Sequence, residues 1–135
     1  MKWLGFLLIL ALLGGLAWIR LAPSDPARWH VAPAVDGDED RPGAAMRRVA
    51  GAGPDALARL DAIARATPRT SVLAGSVADG MVTYVTRSRV FGFPDYSTVR
   101  QEGDDLLIHA RLRFGQSDMG VNRARVEQWL RRLGA

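Results

Sequence analysis

Two segments of the sequence space their basic side chains two residues apart. His109, Arg111 and Arg113 alternate with apolar residues in LLIHARLRF, and Arg87 and Arg89 alternate in TRSRV. Because successive side chains of a β-strand point to opposite faces, each set lies on one face of its strand. If the two faces coincide, four guanidiniums and one imidazole share a sheet surface. Planar guanidiniums bind phosphate and carboxylate through paired hydrogen bonds, so this pattern predicts an anion-binding surface.

A second polar stretch, GQSDMGVNRAR, follows the first directly. Ser117 and Asp118 lie at the start of a predicted helix, where free backbone N–H groups and the helix dipole favour an anion. Asn122, Arg123 and Arg125 lie in the first two turns of that helix. The Ser-Asp pair also fits ordinary helix capping, in which side-chain oxygens accept backbone N–H groups.

The same side chains support two other interpretations. The arginines could form surface ion pairs with neighbouring carboxylates, which are worth roughly 0–1 kcal/mol each and carry no function. Ser117 and His109, together with Asp118 or Asp95, have the residue types of a hydrolase triad, although no G-x-S-x-G turn is present. The sequence has two distant histidines and no cysteine, so it offers no metal-ligand spacing and no thiol nucleophile.

The apolar pattern predicts the elements that position these residues. Residues 54–67 carry one apolar stripe at helical spacing, and Pro68 prevents the helix from continuing. Extended segments separated by turn residues follow at 70–77, 81–91, 96–101 and 106–114. A second helix is predicted over 119–133, with Asp118 as its N-cap and Gly134 just past its end. We therefore expect an α+β domain, an antiparallel meander of three to four strands with two helices packed on one face.

An apolar segment precedes this domain. Trp3–Ile19 has no charged residue and is bracketed by Lys2 and Arg20, and its length is near the lower limit of about 17–25 residues for a bilayer-spanning helix. A cleaved signal peptide is the alternative, but LGGLA matches a small-x-small cleavage site only loosely. We therefore expect an uncleaved transmembrane helix over 1–21. Its short basic N-terminus places the following domain outside the cytoplasm, in the periplasm, on a single-pass inner-membrane protein.

The composition favours one folded domain. The chain has 135 residues, of which 48% are hydrophobic and 24% charged. Beyond the apolar segment, arginines outnumber acidic residues only slightly, which is too small an excess for electrostatic nucleic-acid binding. Residues 22–53 are rich in Pro, Gly, Ala and Asp, so we expect a flexible linker with one short strand at 28–35 around Trp29. The domain itself is then expected over 54–135.

Three segments resemble DUF1499, an uncharacterised family of bacterial and plastid proteins: YVTRSR at 84–89, FGFPD at 91–95 and, above all, residues 108–130. The closing motif of that family resembles SR-x-G-x-SD-x-GVNR-x-R, and this chain reads LRFGQSDMGVNRAR, with Leu112 where a serine is expected. The matching positions are Arg113, Gly115, Ser117, Asp118, Gly120, Val121, Asn122, Arg123 and Arg125. The resemblance covers 54–133 and implies a small domain, often behind a membrane segment, in which these residues form a shared structural or binding feature. It supplies no catalytic residue and no cofactor.

The sequence thus predicts a membrane-anchored, non-enzymatic binding module for an anionic group on a small molecule, a lipid head group or a protein partner. The candidate ligand-binding residues are Arg87, Arg89, His109, Arg111, Arg113, Ser117, Asp118, Asn122, Arg123 and Arg125. The first alternative is a structural scaffold of the cell envelope, in which these residues form an internal ion-pair and capping network. A serine hydrolase is the second. Arg111→Ala separates the first two, since it removes ligand binding in a binding module but destabilises a scaffold.

Overall fold

The structure is a computed structural model that describes residues 1–135. Its elements, in chain order, are α1 (Lys2–Leu21), α2 (Pro26–Trp29), β1 (Glu39–Arg41), β2 (Ala44–Val49), α3 (Ala56–Arg65), β3 (Thr70–Ser76), β4 (Met81–Arg87), β5 (Pro94–Glu102), β6 (Asp105–Leu112) and α4 (Val121–Leu133). The strands form one sheet in the order β1-β2-β6-β5-β4-β3. Every neighbouring pair is antiparallel.

The prediction of three to four strands is wrong, because the sheet has six. The two additional strands, β1 and β2, lie within 22–53, the segment predicted to be a flexible linker. β2 pairs along its length with β6, so this segment is part of the domain. Its sequence, AAMRRV, does not show the alternation of apolar and polar residues typical of a strand, because one side chain that faces the core is charged. Arg47 is buried and forms an ion pair with Asp40 at 2.7 Å, which an apolar pattern cannot show.

The hydrophobic core lies between one face of the sheet and helices α3 and α4, so the α+β class and the packing of two helices on one face are confirmed. The alternation predicted for β6 holds over Leu106, Ile108 and Ala110, which all belong to this core, but the strand ends at Leu112, so Arg113 and Phe114 lie beyond it. Tyr84 meets Trp129 edge-on, with ring centroids 5.8 Å apart. Burying these apolar side chains supplies the main favourable free energy of folding.

The opposite face of the sheet is also covered, by the segment that joins α1 to the domain. No strand forms at 28–35: Arg28 and Trp29 end the single-turn helix α2, in which Asp25 accepts the backbone N–H of Ala27 as the N-cap, and residues 30–35 have no regular structure. The Trp29 ring, 8% exposed, stacks on Tyr96 with ring centroids 4.0 Å apart. The segment is therefore held against the sheet by an aromatic anchor.

α1 is the one helix long and apolar enough to cross a membrane. It has 20 residues and none of them is buried against the rest of the protein. Its last turn does contact the domain, because Arg20 donates hydrogen bonds to the carbonyls of Val90 and Phe91. The end of α1 is thus attached to the loop between β4 and β5.

Candidate anion-binding site

The predicted site residues do not form one surface. The structure distributes them over three places: the sheet face beneath the segment 19–30, the start of α4, and an open groove beside α4. Arg89 already departs from the sequence prediction, because β4 ends at Arg87 and Arg89 lies in the following loop. Each place has its own chemistry.

The first place is the sheet face covered by the segment 19–30, where Arg87, His109, Arg111 and Arg113 lie. The three arginines of this set share one feature: their guanidinium groups donate hydrogen bonds to oxygens of the chain itself. Arg111 donates to the carbonyls of Trp29 and His109 and to the Thr98 hydroxyl. Arg113 donates to the carbonyl of Pro23 at 2.9 Å and to the Tyr96 hydroxyl at 3.1 Å.

Arg87 completes this set. Its guanidinium donates to the carbonyl of Gly92 at 2.9 Å and to that of Ile19 at 3.5 Å. Nearby, Ser24 and Tyr96 share a hydrogen bond of 2.6 Å between their hydroxyls. We call this set of contacts between residues 19–30 and the sheet the arginine clamp. Arg87, Arg111 and Arg113 thus each use part of their guanidinium to hold the chain itself together.

Burial sets the ionisation of this region. Desolvation lowers the pKa of Arg111 to about 10, so it stays protonated at neutral pH. Desolvation also lowers the pKa of His109 to about 4, and the nearby positive charges of Arg111 and Arg41 act in the same direction. His109 is therefore a neutral imidazole at pH 7 and adds no positive charge to an anion site.

The second place is the start of α4, where Asp118 organises the backbone. The helix begins at Val121 rather than at Met119, and the N-cap is Gly120, not Asp118 as predicted, because φ at residue 120 is +80°. Such a left-handed conformation favours glycine. Asp118 still supplies the capping oxygens, because it accepts the backbone N–H groups of Gly120 at 2.9 Å and of Asn122 at 3.1 Å.

Three further side chains extend this cap into the protein. Asn122, fully buried, donates through its amide to Asp118 at 2.6 Å and accepts from Arg125 at 2.8 Å. Arg125 also forms an ion pair with Asp95 on β5 at 3.4 Å. Burial raises the pKa of Asp95, and the opposing charge of Arg125 only partly offsets this. The motif SD-x-GVNR-x-R thus builds a hydrogen-bonded junction between α4 and the sheet.

Ser117 and Arg123 take no part in this junction. The Ser117 hydroxyl accepts the backbone N–H of Met119 at 3.3 Å. Arg123 is exposed and pairs with Glu127 at 2.9 Å and with Asp40 at 3.6 Å. No hydrogen bond joins the side chains of Ser117, His109 and Asp118, which a hydrolase triad requires. No group of three or more His, Asp or Glu side chains lies close enough together to ligate a metal ion.

The third place is an open groove of about 730 Å³ between α4 and the ends of β3 and β4, which we call the arginine groove. Six arginines contribute to its lining, and no Asp or Glu does. They are Arg69, Arg87, Arg89, Arg125, Arg131 and Arg132. Five of them form no ion pair, namely Arg69, Arg87, Arg89, Arg131 and Arg132. Three of these, Arg89, Arg131 and Arg132, also form no side-chain hydrogen bond within the chain, so they offer free guanidinium donors, unlike the clamp arginines.

The sequence-based set of binding residues lacks three of the six groove arginines. Arg131 and Arg132 follow Arg125 at helical spacing, with Gln128 between them, and residues three, four and seven apart share one helix face. That signal was present in the sequence. Arg69 was not recoverable in this way, because it enters the groove from a turn in which its own φ is +57°, a left-handed conformation rare for a residue other than glycine.

The architecture defines a class: a small α+β domain whose sheet is clamped to a preceding helix of membrane-spanning length. The chain matches the family model DUF1499, described as a protein of unknown function, over residues 19–133, and it therefore belongs to that family. The match starts within α1, well before residue 54, which agrees with α2, β1 and β2 being part of the domain. No curated protein matches the chain.

Proposed function

We propose that this protein is a non-enzymatic, membrane-anchored module that binds a phosphate-bearing or other anionic group in the arginine groove. The observation that carries the proposal is that three arginines, Arg89, Arg131 and Arg132, have no ion pair and no side-chain hydrogen bond within the chain and line a groove without acidic residues. Of the binding residues expected from the sequence, this proposal keeps Arg89 and Arg125, and it assigns Arg87 to the wall of the groove. Arg69, Arg131 and Arg132 are added to it.

Electrostatics supports an anion in this position. Like charges that line a concave surface raise the local potential and attract a counter-charge. Guanidinium is the side chain best suited to hold a phosphate, because its fixed donors pair with two oxygens at once. The groove also presents neutral hydrogen-bonding groups, including Thr67, Ser88 and Gln128, which can bind the remaining oxygens of such a group.

The apolar helix α1 bears on where the protein is located and not on what the groove binds. α1 is long and apolar enough to span a bilayer. Lys2 and the amino terminus precede it, and a short basic N-terminus is typically retained in the cytoplasm. We therefore propose that α1 stays uncleaved in the inner membrane and that the domain faces the periplasm.

The test is a titration of the purified full chain, in detergent micelles, with inorganic phosphate and pyrophosphate. We expect a saturable thermal shift, since a ligand present at about 100 times its dissociation constant stabilises the folded state by roughly 2.7 kcal/mol. Arg89→Gln and Arg132→Gln should each weaken binding about tenfold, because each removes one charge-assisted contact. The affinity should also fall as the salt concentration rises.

Arg100→Gln is the matched control. Arg100 is an exposed arginine on β5 that does not line the groove. Its substitution removes the same net charge and should leave the affinity within a factor of two. Equal losses in Arg89→Gln and Arg100→Gln would show that only the overall charge matters, and the proposed groove would then be wrong.

A structural scaffold without a ligand is the second candidate, and the arginine clamp favours it. The clamp arginines act within the fold, and the motif residues at the start of α4 act as a helix cap. If no anion shifts the melting temperature, while Arg111→Ala lowers it, the scaffold becomes the better account of this protein.

A further inference from the structure

The loop between β4 and β5 exposes two adjacent apolar side chains. Val90 is 67% exposed and Phe91 is 49% exposed, although both follow the basic residue Arg89. The loop is internally tight, because Ser88 and Phe93 are joined by a backbone hydrogen bond of 2.9 Å and by a second bond to the Ser88 hydroxyl. Val90 and Phe91 are thus held outward at the tip of an ordered loop.

This tip lies against the last turn of α1. Arg20 donates to the Val90 carbonyl at 2.8 Å and to the Phe91 carbonyl at 3.3 Å. The approach is close enough that a Cβ on Gly92 would lie 3.2 Å from the Cγ of Arg20. Where α1 leaves a bilayer, the tip is therefore at the same depth as Ile19 and Arg20.

Depth decides what surrounds these side chains. Trp18 is one residue from Ile19, and indole rings favour the interface between lipid and water. Arginine at a helix end directs its charge to the head groups while its stem contacts apolar surface. An apolar pair at this level is more stable among acyl chains than in water.

We propose that Val90 and Phe91 insert into the bilayer interface beside α1 and hold the domain on the membrane in one orientation. Arg89, the neighbour of this tip, lines the arginine groove, so the groove opens at the level of lipid head groups. The inference rests on the membrane anchoring put forward under the proposed function. It does not depend on whether the groove binds an anion.

The absence of cysteine allows a direct test with single labels. Val90→Cys and Phe91→Cys are each made in the full chain, spin-labelled and reconstituted in vesicles of phosphatidylcholine and phosphatidylglycerol. The readout is the ratio of collisions with oxygen, which concentrates in the bilayer, to collisions with a nickel chelate, which stays in water. Phe6→Cys, an exposed position in the N-terminal half of α1, marks the bilayer. Met119→Cys, at a position 96% exposed on the loop before α4, marks the water.

We expect the ratio at 90 and 91 to lie clearly above that at 119 and below that at 6. Phe91→Ser should lower the ratio at 90 towards that at 119, because one apolar contact with lipid is lost. If the ratios at positions 90 and 91 equal that at 119 while position 6 reports the bilayer, the loop does not insert into the membrane, although α1 still anchors the protein. If 6 itself reports water, the anchoring fails, and the docking fails with it.

Discussion

The arginine clamp and the arginine groove contain the same residue type in opposite states. In the clamp, the guanidiniums of Arg87, Arg111 and Arg113 donate to carbonyls at residues 19, 23, 29, 92 and 109. In the groove, Arg89, Arg131 and Arg132 have neither an ion pair nor a side-chain hydrogen bond within the chain. What separates a structural arginine from a binding arginine here is whether the fold satisfies its donors.

The two regions also differ in what their loss should cost. A half-buried guanidinium that serves several carbonyls leaves those acceptors with fewer donors when it is removed. An exposed guanidinium leaves nothing unpaired, because water replaces it. Substitutions in the clamp should therefore change stability, and substitutions of the groove arginines without partners, Arg89, Arg131 and Arg132, should change binding alone.

The largest expected effect is that of Trp29→Ala, which removes the aromatic anchor of the clamp. Trp29 stacks on Tyr96, and the Arg111 guanidinium lies 5.5 Å from its ring centroid. Loss of a buried indole should lower the free energy of unfolding by about 3 kcal/mol. Urea unfolding of the full chain in micelles, followed by circular dichroism, measures it. Trp18→Ala, on the exposed surface of α1, should change it little, and equal losses would contradict the clamp.

Next in size is Arg111→Ala. The substitution removes one donor each from the Trp29 carbonyl, the His109 carbonyl and the Thr98 hydroxyl, so we expect a loss of about 2 kcal/mol. Arg111→Lys should recover part of it, because one ammonium cannot serve three acceptors in the same geometry. The same unfolding measurement, with a pyrophosphate titration alongside, gives the answer. Unchanged stability with lost binding would move Arg111 from the clamp to the ligand site.

The part of the fold that the sequence revealed is the part governed by simple periodicity. The alternation in β6 identifies its core face, and the apolar stripe of residues 54–67 identifies α3, which the structure has at Ala56–Arg65. β2 was not predicted because one of its buried positions holds a charged residue, Arg47, which forms an ion pair with Asp40. α2 was not predicted because four residues are too few to show a helical period of apolar side chains. Its position also depends on a distant contact, the stacking of Trp29 on Tyr96.

The candidate site was harder to predict for a related reason. Alternation correctly places Arg111 and Arg113 on one sheet face, but it cannot show that the chain's own N-terminal segment covers that face. The carbonyls that satisfy these arginines lie about 80 to 90 residues away in the sequence. The groove, by contrast, can be recognised as one face of α4 once the helix is followed from Arg125 to Arg131 and Arg132.

A smaller effect should appear as a pH dependence of stability in the clamp. The pKa of His109 falls from 6.5 to about 4 in the folded protein, so between these values the unfolded chain binds more protons. Stability is therefore complete above pH 6.5 and is lost as the pH falls towards 4. Allowing for partial exposure, we expect a loss of about 1.5 kcal/mol across this window. His109→Gln should flatten it, and an unaltered pH profile would show that other groups are responsible.

The smallest effect on stability should come from the groove. Arg132→Gln leaves no partner unpaired, so the free energy of unfolding should change by less than about 0.5 kcal/mol. The same variant should bind pyrophosphate about tenfold more weakly, since it loses one charge-assisted contact. Urea unfolding and a pyrophosphate titration, both made on the same preparation of each variant, compare the stability and affinity of Arg132→Gln with those of Arg111→Ala. A variant that is destabilised as much as Arg111→Ala would place Arg132 in the structural network and remove the distinction between the two regions, because free donors would then no longer mark a binding arginine.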